Sequence, residues 1–310
     1  AEHQISHERG ADKALLQRTQ TRLAATSLPN RIYQRLKWQG VGTDIAEWNP
    51  IKAGGSATPL VFRRSSGTPL TKGISGVFTY DGYHKGFQKA VVGVSQQLAD
   101  EEAWVLGVAT APRQGFAQQQ VADQVRRIYL NDYARVWEEF IADLALLAPK
   151  TLPEAVQVAR TLSQPDNPMV PLLRAIVRET TLATAPDLAS KAESAVRGTI
   201  EKKGKELKDL FGVQPEKRAA AEPAAAIESI VDNRFTALRQ LVTSPGGQGP
   251  APVDNQVALI NDIYTFLNAA DTATKAGNPP PPSEVPNKVK ADGARAPEPV
   301  RSLVTTLSVV

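Results

Sequence analysis

The fold is decided by the stretch YARVWEEFIADLALLAPKTLPEAVQVARTLSQPDNPMVPLLRAIVRET, which covers residues 133–180. It continues a segment that begins at residue 113, in which apolar residues recur at steps of three or four, the spacing of one helix face. Tyr129, Tyr133 and Trp137 form a second row that widens the predicted buried face. We predict one long helix that ends before Pro149, because a proline lacks the N–H that the next turn needs. The stripe consists of Val121, Val125, Ile128, Asp132, Val136, Phe140, Leu144 and Leu147.

A second helix is predicted to start at a capping box. Thr151 can accept a hydrogen bond from the backbone N–H of Glu154, and the Glu154 carboxylate can reach back to the helix start. Pro153 fits the first turn, where a missing N–H costs little. After a break at residues 163–171, a third amphipathic segment begins at Leu172. Helices joined by such short linkers predict a mainly α fold, a multi-helix bundle.

The chain is predicted to divide at residue 112. Residues 1–112 form an N-terminal helical segment with short strands and a glycine-rich loop, and residues 113–310 form the helical bundle. The β-prone fragments 59–63 and 75–80 predict a small extended or β element near residues 41–80. Further helices are predicted at 186–211, 227–242, 253–273 and from 295 onward. Linkers are predicted at 212–226, 244–253 and 276–295, and the proline run at 277–288 argues against helix or central strand.

Several stretches together resemble one protein family. Residues 126–182 contain a Tyr–Trp helix, a Leu-containing helix, the motif LSQPDNP and then LLRAIVRET. In the same order along the chain come TKGISGVFTYDGYHKGF and EEAWVLG before this segment, and VDNRFTALRQLV and APEPVRSLVTTL after it. This ordered combination, from about residue 28 to residue 307, resembles the periplasmic part of the IcmF/TssM proteins, inner-membrane components of bacterial type VI secretion systems.

The resemblance implies a structural role. It implies a scaffold that spans the periplasm, positions the domain that docks the outer-membrane lipoprotein, and helps to assemble the envelope-spanning channel for the contractile tail. The implied partners are other copies of the chain and the inner-membrane and outer-membrane lipoprotein subunits of that complex. Membrane helices and a cytoplasmic nucleotide-binding-like domain are expected upstream, and a β-rich C-terminal domain downstream. The start at Ala1 without a methionine agrees with a piece of a longer protein.

Composition argues against other classes of function. The chain has 310 residues, a net charge of +4 and no cysteine, so disulfides and thiolate metal sites are excluded. The lysines at 202, 203, 205 and 208 alternate with acids and are interpreted as a solvated helix face, so no nucleic-acid partner is predicted. The longest apolar runs fall far short of the roughly 20 residues that span a bilayer. No cofactor and no small-molecule substrate are predicted.

No catalytic constellation stands out, and the chain is predicted not to be an enzyme. His3 and His7 have a spacing that suits a metal on a helix, but they lie in a polar terminus, so no metal site is predicted. His84 is interpreted as a surface or interface residue. The alternative is a cell-wall glycan hydrolase or remodelling domain that uses an acidic pair, either Glu138 with Asp143 or Glu101 with Glu102.

Binding residues concentrate in loops on rigid scaffolds, and the loops are therefore the predicted interaction sites. The glycine-rich segment 73–86 and the loops around 164–171 and 244–252 are candidates. The glycines of segment 73–86 predict tight turns or close approach of the backbone. The possible interaction residues are Gly73, Gly76, Tyr80, Tyr83, Asp166 and Pro168.

Overall fold

The computed structural model describes residues 27–91, 93–94, 114–183, 226–247, 249–293 and 295–307. The chain forms two compact units, residues 1–146 and residues 147–310. The described residues are mainly α-helical, with one two-stranded sheet among them, which confirms the predicted fold class. The predicted boundary at residues 112–113 lies outside the described residues and stays a prediction, as does the helix at 186–211.

Unit 1 is organised around α4, the longest helix among its described residues. Its elements are α1 (Leu28–Trp38), α2 (Pro50–Gly54), α3 (Thr58–Val61), β1 (Phe62–Arg64), a 3₁₀ helix (Gly76–Phe78), a π-helix (Gly82–Phe87), α4 (Gln114–Asp143) and β2 (Leu144–Leu146). Pro29 lies in the first turn of α1, where its fixed φ angle suits the helix. The apolar face of α1 packs against α4 through buried residues at helical spacing, Ile32, Tyr33 and Leu36.

Helix α4 ends earlier than predicted. It ends at Asp143, and the next three residues form β2, which pairs antiparallel with β1 so that Phe62 lies opposite Leu146. The Ser65 N–H extends this ladder by donating to the Asp143 carbonyl at 2.7 Å. The prediction of a helix up to Pro149 was wrong because pairing with a strand distant in sequence leaves no trace in the local spacing.

The buried face of α4 is the aromatic row rather than the predicted stripe. Tyr129, Tyr133 and Trp137 are at most 1% exposed. Val125, Phe140 and Leu144 of the predicted stripe are buried as predicted. The other stripe residues lie at the edge of the buried face of α4 or outside that face. Half-buried are Val121, Ile128, Asp132 and Val136, and Leu147 is 37% exposed. The helix is therefore rotated relative to the prediction, so that its largest side chains face the core.

The small β element lies where it was predicted, but with different residues. The fragment 59–63 is mostly helix α3, and only its end belongs to β1. The predicted strand at 75–80 is instead the 3₁₀ helix, and an isolated antiparallel bridge joins Trp48 to Ile74. A Cβ atom added at Gly73 would lie 1.7 Å from the Trp48 carbonyl oxygen, and one at Gly76 2.0 Å from the Ile45 oxygen. The predicted close approach of the backbone at these glycines is thereby confirmed.

Unit 2 is a set of helices packed through aliphatic side chains. Its elements are α5 (Leu152–Ser163), α6 (Met169–Glu179), α7 (Ser229–Asp232), α8 (Thr236–Val242), a 3₁₀ helix (Pro245–Gly247), α9 (Pro252–Lys275), α10 (Val285–Lys288), a π-helix (Val289–Gly293) and α11 (Val300–Leu307). Helix α9 packs against α5, and α8 packs against α6 and α9. The predicted cap of α5 is confirmed, since Thr151 Oγ1 accepts from the Glu154 N–H at 3.4 Å. The Glu154 carboxylate accepts from the Lys150 N–H at 2.7 Å, one residue earlier than in a standard capping box.

Three predictions for unit 2 were wrong in detail. The helix at 227–242 is broken into α7 and α8, and α10 lies inside the proline-rich stretch that was predicted to exclude helix. Pro286 lies in the first turn of α10, where no N–H is needed. The inward face of α9 also differs from the prediction, since Val257 and Tyr264 are half-buried. Its buried residues are Val253, Leu259, Ile260, Ile263, Leu267 and Ala270.

Candidate functional site: the glycine-rich segment and its support

The glycine-rich segment of unit 1 is held by side chains of α4. Two aromatic donors bond to backbone carbonyls of the 3₁₀ helix. Trp137 Nε1–H donates to the Phe78 carbonyl at 2.9 Å, and the Tyr129 hydroxyl donates to the Val77 carbonyl. Irregular backbone leaves carbonyls without helix or sheet partners, and these bonds satisfy two of them. The 3₁₀ helix of the segment is therefore bonded to α4, while the bridge between Trp48 and Ile74 holds the start of the segment.

Aromatic rings fill the space between this segment and α4. The Tyr129 ring stacks on Phe87 with centroids 3.8 Å apart, and the Trp137 ring meets Trp48 edge-on at 4.9 Å. Burial raises the pKa of the Tyr129 phenol well above its usual value, so this group stays a neutral donor. These rings are packed against one another, in the core-packing role predicted for the row at 129–137 ahead of a ligand platform.

Asp132, the polar residue in the predicted stripe, connects α4 to α1. Its carboxylate accepts from the Tyr33 hydroxyl at 2.7 Å, from Lys37 Nζ at 2.9 Å and from Arg135 at 3.0 Å. Burial alone would raise the pKa of Asp132, but the bonds from Tyr33, Lys37 and Arg135 outweigh that effect and lower it. The residue stays ionised and bridges the two helices. In the sequence, the signal for this contact was a single acidic residue at position 132 within an otherwise apolar helix face.

Asp143 attaches the turn after β1 to the end of α4. Its carboxylate accepts from Arg64 Nε at 2.6 Å, from the Ser66 N–H at 2.6 Å and from the Ser66 hydroxyl at 2.7 Å. Burial alone would raise the pKa of Asp143, but the bonds from Ser66 and Arg64 outweigh that effect and lower it. A carboxyl group kept ionised and surrounded by donors cannot supply a proton as a general acid near neutral pH.

This arrangement limits the hydrolase alternative. Of the pair Glu138 and Asp143, the aspartate is used by the turn after β1, and Glu138 is exposed on α4. The other pair, Glu101 with Glu102, lies outside the described residues. Among the residues that the structure describes, no group of three or more His, Asp or Glu side chains could hold a metal ion. His3 and His7 lie outside them as well.

Comparisons with known proteins agree with the motifs. A family model described as "IcmF-related: Intracellular multiplication and human macrophage-killing" matches residues 2–181. The chain belongs to the IcmF-related family. It is 35% identical over 260 residues to the type VI secretion system component TssM1 of Pseudomonas aeruginosa PAO1, which covers 83% of this chain and 23% of that protein. The chain thus spans about a quarter of that relative's length.

A solved structure, the type VI secretion system membrane core complex, aligns with 92% of this chain and 47% of its own chain. The identity is 12% and the TM-score 0.41. Among the described residues of this IcmF-related chain, none of the helices is both long enough and apolar enough to cross a membrane.

The predicted interaction residues lie in different settings. The side chains of Tyr80 and Tyr83 are buried, at 8% and 0% exposed, so they belong to the core of unit 1. Gly73 and Gly76 lie where backbone segments meet, as described above. In unit 2, Asp166 is exposed in the loop before α6, whereas Pro168 is buried. Partner binding by these loops stays a prediction.

His84 lies within the π-helix between two rings. It is half-buried, with ring centroids 4.3 Å from Tyr80 and 4.9 Å from Tyr83. A π-helical turn inserts an extra residue into a helix and is frequent at functional sites. This turn lies within one of the motifs shared with the family, and the side chains that it positions indicate its role. Here the turn places Tyr83 and Phe87 into the buried cluster around Tyr129. In this structure it therefore serves packing of the core.

Two family motifs meet in unit 2 at a buried carboxylate. Asp232, from VDNRF, accepts from the N–H of Leu182, the last residue of the RETTL stretch, at 2.7 Å and from the Ala183 N–H at 3.2 Å. It is 7% exposed, and Arg239 approaches to 3.8 Å. This contact holds the chain at residue 183 against the chain at residue 232. No local sequence pattern indicates this contact, because it joins motifs that are far apart in sequence.

Proposed function

We propose that this chain is a structural part of a type VI secretion membrane complex, acting in the periplasm. In this proposal it positions a domain that docks the outer-membrane lipoprotein, and it packs against other copies and against the inner-membrane and outer-membrane lipoprotein subunits. It acts without catalysis and binds neither nucleic acid nor a small-molecule substrate. The observation that carries the proposal is the 35% identity to TssM1 over most of the chain.

The geometry supports a mechanical role. Helix α4 has 30 residues and α9 has 24, which correspond to lengths of about 45 Å and 36 Å at 1.5 Å per residue. The carboxylates of Asp132, Asp143 and Asp232 each accept a hydrogen bond from a segment of the same unit that is distant in sequence. Such bonds resist relative movement of those segments, which is what a spacer element requires.

The test is made in the full-length parent protein in its own host. Deletion of residues 133–180 is expected to abolish effector secretion and to prevent recovery of the membrane complex. A milder variant, Trp137→Ala, removes the largest fully buried side chain among the described residues and one carbonyl partner, and we expect it to reduce both readouts. The matched control on the same helix is Glu139→Ala, because Glu139 is 64% exposed and takes part only in a surface ion pair.

Immunoblots of membrane fractions give the abundance of each variant, so that loss of the protein is separated from loss of function. Normal secretion by the deletion variant would contradict the structural role. The hydrolase alternative is tested on the purified chain, with Glu138→Gln and Asp143→Asn as variants and cell-wall glycan as substrate. We expect no cleavage by the unmodified chain, and cleavage that Asp143→Asn abolishes would overturn the non-enzymatic proposal.

A further inference from the structure

Trp38, the last residue of α1 in unit 1, has its side chain in solvent. It is 89% exposed, the highest value among the large apolar side chains that the structure describes. Its indole N–H has no acceptor among those described residues. Tryptophan is strongly buried on average in folded proteins and is enriched among the residues that dominate binding at interfaces. An indole left in solvent with an unused donor therefore points to a contact with another chain.

The surface around this indole carries positive charge. Arg35 is exposed and lies three residues before Trp38, so the two side chains share the outward face of α1. Lys37 is the neighbour of Trp38 in sequence, and it forms an ion pair with Asp132 of α4. The buried face of the helix ends at Leu36. Trp38 thus offers an apolar ring with a basic residue one turn away on the same face.

Unit 2 carries a second exposed feature, the proline run 279–282 between α9 and α10. All four prolines are exposed, and none of their carbonyls accepts a hydrogen bond from a described residue. Each residue from 278 to 281 precedes a proline, which disfavours the helical region and holds these residues extended. The run is therefore a short polyproline II helix, about 12 Å long at 3.1 Å per residue.

The structure fixes both ends of this run. Before it, α9 ends in a left-handed turn at Gly277, whose φ is 76°, and the Asn278 N–H donates to the Ala273 carbonyl at 2.9 Å. After it, the Val285 N–H at the start of α10 donates to the Ser283 hydroxyl at 3.1 Å. The run is thus held ready in its extended form, so binding to it costs little conformational entropy.

The run and the exposed indole are complementary in chemistry. Polyproline II segments bind aromatic surfaces, because proline rings pack on the ring face and their carbonyls accept hydrogen bonds. The run has no N–H of its own and offers acceptors alone, whereas the indole of Trp38 offers a donor alone. Glu284 follows the run by two residues, is exposed, and forms no ion pair with a described residue. Its charge is opposite to that of Arg35, which would orient the contact.

We propose that Trp38 of one copy of this chain binds the proline run 279–282 of a second copy. The two surfaces differ, so the contact is head-to-tail, and each copy can bind one neighbour through Trp38 and another through its run. So small an interface predicts weak association, which other contacts in an assembly would strengthen by raising the effective concentration. The inference deepens the proposed packing against other copies and rests on it. Its tests use the purified chain, so their failure would leave the role in secretion standing.

The first test measures binding of the run as a peptide to the full chain. The probe is a synthetic peptide of residues 277–288, GNPPPPSEVPNK, which has no aromatic residue, so the tryptophan fluorescence of the chain reports binding. We expect a saturable shift of the emission to shorter wavelength as the indole leaves water. A peptide with Pro279→Ser, Pro280→Ser, Pro281→Ser and Pro282→Ser keeps the charges and should bind at least tenfold more weakly. Because the interface is small, the titration extends to about 2 mM peptide.

Variants of the chain locate the site. Trp38→Ala should weaken binding of the peptide at least tenfold, and Trp38→Tyr, which keeps a ring and a donor, should stay within about fivefold of the unmodified chain. Leu60→Ala is the matched control, because Leu60 is a large apolar residue of unit 1 that is 64% exposed, and it should leave affinity within about twofold. Circular dichroism confirms that the variants fold, as the exposure of both side chains predicts.

The second test mixes two defective chains and follows their mass by sedimentation velocity. One chain carries Trp38→Ala, and the other carries the four proline-to-serine substitutions. We expect the unmodified chain to associate beyond a dimer as its concentration rises, and each variant alone to stay monomeric. An equimolar mixture should form a 1:1 dimer and nothing larger, because one intact indole and one intact run remain for each pair.

Several results would overturn the proposal. They are a peptide that does not bind, equal binding of the serine peptide, and unchanged affinity in Trp38→Ala. An unmodified chain that stays monomeric, or variants that associate as strongly as it does, would contradict the contact between copies. A mixture of the two variants that forms no dimer would do the same.

Discussion

Unit 1 and unit 2 hold their backbones in place by different means. In unit 1 the irregular segment around Gly76–Phe78 depends on a few polar bonds from α4, made by Tyr129 and Trp137. In unit 2 the buried side chains of the packed helices are mainly leucine, isoleucine, valine and alanine, and the bonds from the Leu182 and Ala183 N–H groups to Asp232 are the main polar contact between distant segments described for that unit. A segment held by single donors is sensitive to single changes, whereas a helical core spreads the same stabilisation over many side chains. We therefore expect point substitutions in unit 1 to have larger and more local effects.

The largest effect is expected at Gly73. Gly73→Ala would place a Cβ atom 1.7 Å from the Trp48 carbonyl oxygen, and the contact is with backbone, which cannot move aside cheaply. The free energy of unfolding is expected to fall by about 3 kcal/mol or more, at the upper end of what overpacking costs. Thermal and urea unfolding provide the measurement.

The matched control is Gly93→Ala, since no atom of the residues that the structure describes lies within 4 Å of a Cβ atom at Gly93, which is helical. Alanine favours helix over glycine, so this variant should be neutral or more stable by up to about 1 kcal/mol. If both variants unfolded alike, the close approach of the Gly73 segment to Trp48 would be contradicted.

A smaller effect with a defined pH dependence is expected at Asp143. Asp143→Asn removes the charge that Arg64 and Ser66 bind, which should lower the free energy of unfolding by about 1–3 kcal/mol at pH 7. The folded-state pKa of Asp143 is lowered, so its contribution is present above the unfolded value of about 3.9 and is lost as pH falls through the folded value. The difference between variant and unmodified chain should therefore shrink below about pH 4. Asp166→Asn, on an exposed loop residue, serves as the control, and a difference that grew on acidification would refute the assignment.

The smallest effect is expected in unit 2. Thr151→Ala removes the side-chain acceptor that caps α5, and losses of this kind are typically about 1 kcal/mol. Thr161→Ala, in the last part of the same helix, removes a hydroxyl that bonds only to the Gln157 carbonyl within the helix, and it should cost less. Equal losses from the two substitutions would argue that Thr151 contributes nothing as a cap.

Local signals in the sequence predicted structure well. The cap at Thr151 and the position of Pro153 depend on neighbours within one helical turn, and each lies in the structure as predicted. The close approach at Gly73 was also expected, because a glycine-rich motif allows backbone contact whatever the partner is. The partners themselves, Trp48 for Gly73 and Ile45 for Gly76, could not be read from the sequence.

The features that local sequence patterns did not predict depend on contacts between segments that are distant in sequence. Leu144–Leu146 continues the spacing of α4 in the sequence, yet it pairs with β1, and that pairing ends the helix at Asp143. The segment 75–80 has the composition of a strand, but Trp137 and Tyr129 bind its carbonyls and leave it as a 3₁₀ turn. The same contacts turn the aromatic row of α4 into the buried face. Sequence periodicity finds that a helix is amphipathic more readily than it finds which of two adjacent rows faces the core.

The central structural claim is that α4 holds the glycine-rich segment through the Trp137 donor. Trp137→Phe keeps an aromatic ring and removes the N–H that binds the Phe78 carbonyl. Amide hydrogen exchange followed by mass spectrometry on this variant is the most direct measurement. We predict exchange at least tenfold faster in peptides that cover residues 76–79, with α9 of unit 2 unchanged. Unchanged exchange at residues 76–79, or equal acceleration in both units, would contradict the claim.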